Sequence, residues 1–68
     1  MDIERIQASY QRISTVWRTD DELGRRIDRA LLSDLLESLE ELDLTPRVEI
    51  MTNRITDLFD EISSSLKG

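Results

Sequence analysis

Two stretches of this chain repeat the same spacing of apolar residues. Ile3, Ile6, Tyr10, Ile13 and Trp17 follow one another at intervals of 3, 4, 3 and 4, and Val48, Met51, Ile55, Leu58 and Ile62 do so again. An α-helix turns by about 100° per residue, so each series falls within an arc of about 80° on one side of a cylinder. The strict alternation that marks a half-buried strand is absent. Both stretches read as helices with one apolar face, and such a face is stable in water only when something covers it.

Between them lies LLSDLLESLEELDL, residues 31–44, in which every second position on average is leucine. With Leu31 at zero, Leu42, Leu35, Leu39, Leu32 and Leu36 fall at about 20°, 40°, 80°, 100° and 140°. Ser33, Asp34, Glu37, Ser38, Glu40 and Glu41 fill the rest of the circle, and Leu23 and Ile27 extend the apolar arc backwards. A band about 140° wide exceeds a single coiled-coil seam, so this helix is expected to be shared between two neighbours.

The breaks are legible too. Continuing the first stripe would put Asp20 and Gly24 at core positions, so a break is expected near Arg18 and Thr19. Thr19 reads as an N-cap, Glu22 as the closing member of a capping box, and Asp20 and Asp21 suit the positive end of a helix dipole. Gly24, which costs about 1 kcal/mol against alanine in a helix, is expected as a tolerated glycine of the first turn. Thr45 before Pro46 is a second start signal: proline needs no donor at the first helical position and forces the preceding residue out of helical geometry. Helices are therefore expected over about 2–18, 20–43 and 46–66. Together they make one all-α domain, 1–68, folded as a small up-down-up three-helix bundle with short connections.

A chain of 68 residues buries a modest share of its surface, and proteins this small commonly add disulfides, a metal or a second chain. Here there is neither cysteine nor histidine. Completion of the bundle by homo- or hetero-oligomerisation, a homodimer foremost, is the expectation that follows. Val16, Leu36 and Ile50 lie off the main stripes. With Trp17, Leu32 and Phe59 they form the candidate partner interface.

The same absences bear on chemistry. There is no Cys–His or Ser–His pair and no glycine-rich phosphate loop, and three short helices are expected to enclose no sizeable pocket. The reading is non-enzymatic, with no catalytic residues and no cofactor. Asp34, Glu37, Glu40, Glu41 and Asp43 lack the spacing of a calcium loop and are expected as a solvated face, so no metal site is assigned. A docking face for a basic partner is the other use of that set.

Charge is uneven along the chain. Residues 1–30 balance, whereas residues 31–68 carry the whole net charge of −6. An acidic half disfavours non-specific binding to nucleic acid. GRRIDRA supplies Arg25, Arg26 and Arg29, but Asp28 interrupts them and Asp20, Asp21 and Glu22 precede them. Pairing of Asp21 with Arg25 and of Glu22 with Arg26 at i,i+4 is the expected arrangement. The first seventeen residues lack the basic and apolar regions of a secretory leader, and no stretch is apolar enough to span a bilayer. A cytoplasmic location is the default. The leading functional expectation is a non-enzymatic protein–protein interaction module: a small regulator, chaperone-like subunit, antitoxin-like inhibitor or assembly factor. The alternatives are a nucleic-acid-binding regulator in which dimerisation joins two Arg25/Arg26/Arg29 clusters, and an acidic inhibitor that mimics nucleic-acid charge.

Overall fold

The computed structural model describes residues 2–67. It contains α1 (Ile3–Val16), α2 (Glu22–Glu40) and α3 (Pro46–Lys67), with a 3-10 turn over Trp17–Thr19 between the first two. No strand occurs among the described residues. Two long-range side-chain bonds fix the helix directions. Arg47, at the start of α3, donates to Gln7 near the start of α1 at 3.1 Å. Arg18, just past the end of α1, reaches Glu61 late in α3 at 3.0 Å. Helices α1 and α3 thus run parallel, and α2, joined to both by short connections, returns between them. This is the expected up-down-up bundle, 36 × 18 × 15 Å, and its long axis is close to the length of α3 at 1.5 Å per residue.

Each helix start is capped by a side chain. Asp2 accepts from the Arg5 backbone N–H at 2.9 Å. Thr45 Oγ1 accepts from the Val48 N–H at 3.2 Å, as its position before Pro46 predicts. The start of α2 differs from expectation. Thr19 spends its hydroxyl on the Val16 carbonyl, closing the 3-10 turn. Asp21 is the N-cap instead, accepting from the Gly24 N–H at 2.8 Å. The 3-10 turn continues α1 for one more step, so the chain reaches its extended capping conformation two residues later than the sequence suggests. At the other end α2 stops at Glu40, where Glu41 and Leu42 donate in short turns to Ser38 and Leu39.

The outer two stripes pack as their spacing predicts. Ile6, Ile13 and Trp17 are buried with Ile3 and Tyr10 beside them, and Val48, Met51, Ile55, Leu58 and Ile62 are all buried. Helix α2 contributes Leu32, Leu35 and Leu39 to this core, with Leu36 and Leu42 packed at its margin. Leu23, Ile27 and Leu31 do not join it: they are 67, 52 and 39% exposed. Each backward step of four residues rotates the position by about 40°, so Ile27 and Leu23 are carried about 40° and 80° away from Leu31 and off the core face. Asp28, at about 60° on the same scale, lies between Leu35 and Leu39 on the core face, and it is only 8% exposed.

Gly24 also has a role beyond tolerance. A β-carbon there would lie 2.8 Å from Asp20 Cβ, 3.1 Å from its carboxyl carbon and 3.3 Å from the capping oxygen of Asp21. The missing side chain lets Asp20 fold over the first turn of α2. Gly24→Ala is therefore expected to lower stability by about 1 kcal/mol, read as a lower urea midpoint, although alanine is the better helix former by a similar amount. A raised midpoint would show that the Asp20 contact is unimportant.

Candidate interaction surface

The residues singled out by sequence divide between core and surface. Trp17 and Leu32, at 6 and 0% exposure, are consumed by the chain's own core. Leu36 and Phe59 are half-buried against it. Val16 and Ile50 are exposed, at 39 and 52%. The six do not form one outward patch, because the two most central of them face inward.

The three arginines of GRRIDRA are held in different ways. The Arg25 guanidinium lies 5.9 Å from the centre of the Trp17 ring, and that of Arg18 lies 5.4 Å from it. Arg25 Nη2 also donates to the Arg18 carbonyl at 3.3 Å, while its Nε is buried without an acceptor. The cation–π geometry joins the turn to the first part of α2. Arg26 pairs with Glu22 at 3.2 Å, as the i,i+4 spacing predicts. The corresponding Asp21–Arg25 pair does not form, since Asp21 caps the helix and Arg25 turns toward Trp17. Arg29 has no hydrogen-bond or ion-pair partner among the described residues.

Behind this junction sits Asp28. Burial raises its carboxyl from the ordinary 3.8 to about 6, the neighbouring Asp20 carboxyl pushes in the same direction, and Arg12 opposes them. One of its oxygens, Oδ2, is buried with no partner.

Two surfaces remain outward and apolar. The first is the Leu23–Ile27–Leu31 row, which runs along one side of α2 with the exposed Ala30 beside it. The second is a surface depression at one end of the bundle, and it is open to solvent, not enclosed by the helices. A half-open groove of about 410 Å³ lies at the α2–α3 connection, lined by Leu36, Leu39, Leu42, Leu44 and Val48 together with Glu40, Thr52 and Thr56. Leu44 there is 82% exposed. The acidic set Asp34, Glu37, Glu40, Glu41 and Asp43 lies in solvent, and no three potential ligands among the described residues are grouped to hold a metal ion. No helix of the described residues is long and apolar enough to cross a membrane.

The row on α2 is the surface that reading by stripes missed. Its signal was present in the spacing: residues 23, 27 and 31 form an i,i+4 row, which slants around a helix instead of following its axis. Compared with known protein families, curated proteins and solved structures, the chain gives no significant match to any of them.

Proposed function

We propose that this chain is a non-enzymatic protein–protein interaction module that docks through the outward face of α2. The observation that supports this is the Leu23–Ile27–Leu31 row. Single exposed apolar residues are ordinary, but three large ones in line on one rigid helix form a continuous patch that water solvates poorly. A helix face presenting anchors at i, i+4 and i+8 is a recurring mode of recognition between proteins. The rest of the bundle then serves as a scaffold that holds α2 straight. A small regulator, an inhibitor, a chaperone-like subunit and an assembly factor all work through such a face.

The nucleic-acid alternative draws less support, because Arg25 is turned onto Trp17 and Arg26 is paired with Glu22. The test is a photo-crosslinking residue placed at position 27 in the native cell. Protein adducts are expected there, and they should be lost when Leu23 and Leu31 are changed to glutamate. Crosslinking no greater than at the exposed position 53 on α3 would overturn the reading.

A further inference from the structure

We propose that the occupant of this face is a basic amphipathic helix of another protein, which sets apolar side chains on Leu23, Ile27 and Leu31 and lysines or arginines on Asp34, Glu37 and Glu41. The inference rests on the reading of the row as a docking surface and names the chemistry of its partner. The charges that share the face select it. With Leu31 at zero, Ile27 and Leu23 lie at about −40° and −80°, Ala30 at about −100°, and Asp34, Glu41 and Glu37 at about −60°, −80° and −120°. All of these residues are exposed. One side of α2 is therefore apolar over its first half and acidic over its second. Arg25 and Arg29, at about 120° and 160°, lie on the opposite side, and Arg26 is neutralised by Glu22. None of the three carboxylates on the face has a cationic partner among the described residues.

The fold of the single chain is weakened by these charges. They stand at the negative end of the α2 dipole, and the last turn of the helix contains no basic residue. Glu37 and Glu41 are like charges at i,i+4, and Asp34 and Glu37 are like charges at i,i+3. A row of cations laid against them relieves both effects, and covering the apolar row beside them stabilises the same complex. Other occupants meet repulsion: a second copy applied face to face brings the same acidic half, and an anionic lipid surface or nucleic acid brings more negative charge. From Leu23 to Glu41 the face is about 27 Å long, which matches a partner helix of about five turns. Contact along one helix is small, and the complex is accordingly on the order of micromolar or weaker.

The probes are two fluorescently labelled synthetic helices of about twenty residues, a length that covers the face. Both carry leucines at i, i+4 and i+8, and the adjoining two turns of the same side carry lysines in one and glutamates in the other. Each is made in both chain directions, and the tighter direction is compared. Binding to the full chain is read by fluorescence anisotropy at low salt. The lysine helix is expected to bind about tenfold or more tightly than the glutamate helix, since three exposed ion pairs together supply a factor of that order. Asp34→Lys, Glu37→Lys and Glu41→Lys together should reverse the preference, and Ile27→Glu should weaken binding of the lysine helix. Circular dichroism should show these variants as helical as the wild type, since all four positions are exposed. A preference that is absent, or that survives the triple change, overturns the proposal. The crosslink at position 27 separates it from the docking reading. If adducts to another protein persist undiminished in the triple variant, or join two copies of this chain, the basic partner fails and docking stands. If crosslinking there is no greater than at position 53, both fail.

Discussion

Asp28→Asn raises stability at pH 7 by about 2 kcal/mol. The carboxyl titrates at about 6 in the folded chain against an ordinary 3.8, because it is buried and shares its site with Asp20. At neutral pH it is ionised in both folded and unfolded states, and the folded state bears the cost of holding the charge out of water. A rise from 3.8 to about 6 corresponds to about 3 kcal/mol. The sign follows from proton binding: between those values the folded chain binds the proton and the unfolded chain does not. The stability associated with this group is fully present below 3.8 and is lost as pH rises through about 6. Asparagine keeps the shape, offers an amide donor to Asp20 and removes the titration, though it still buries a polar group. Urea unfolding followed by the fluorescence of Trp17, the single tryptophan, checks this. The stability gap between variant and wild type should be widest at pH 7 and should close as pH falls through about 6 toward 3.8. A gap that is constant with pH would show that Asp28 is not the titrating group.

Ile55→Ala is expected to be strongly destabilising. Ile55 is fully buried in the middle of α3. Removing three carbons from such a position costs about 2 to 5 kcal/mol, of which part is lost transfer energy and part the cavity left behind. A bundle this small has total stability near the lower end of about 5 to 15 kcal/mol. The variant should therefore keep no more than about 3 kcal/mol of stability, read as a urea midpoint far below that of the wild type. Ile50→Ala, five residues earlier on the same helix, supplies the contrast. Ile50 is 52% exposed, and its truncation should change stability by less than about 0.5 kcal/mol. Equal effects at the two positions would contradict the packing described.

Asp28 and the proposed docking face share one helix, α2. Of its apolar residues, Leu32, Leu35 and Leu39 stabilise the monomer, whereas Leu23, Ile27 and Leu31 contribute almost nothing to its core.

What the residues determined alone is what depends on near neighbours in the chain. The 3, 4, 3, 4 stripes of α1 and α3, the start of α3 at Thr45–Pro46 and the Glu22–Arg26 pair all follow from helical geometry over a turn or two, and each is present. The bundle follows from them, since three amphipathic helices with short connections have few other ways to cover their faces. Asp28 was within reach of the same arithmetic, at about 60° on the α2 wheel, but was grouped with the charges around it. Tertiary structure alone decided which part of the wide apolar band of α2 is covered, because that depends on where α1 and α3 lie and how far around α2 they reach. It also decided that Asp21 and not Thr19 caps α2, that Arg25 turns to Trp17, and that Gly24 makes room for Asp20 beside Asp28. In each of these a side chain has more than one partner to choose from, and the packed chain selects one of them.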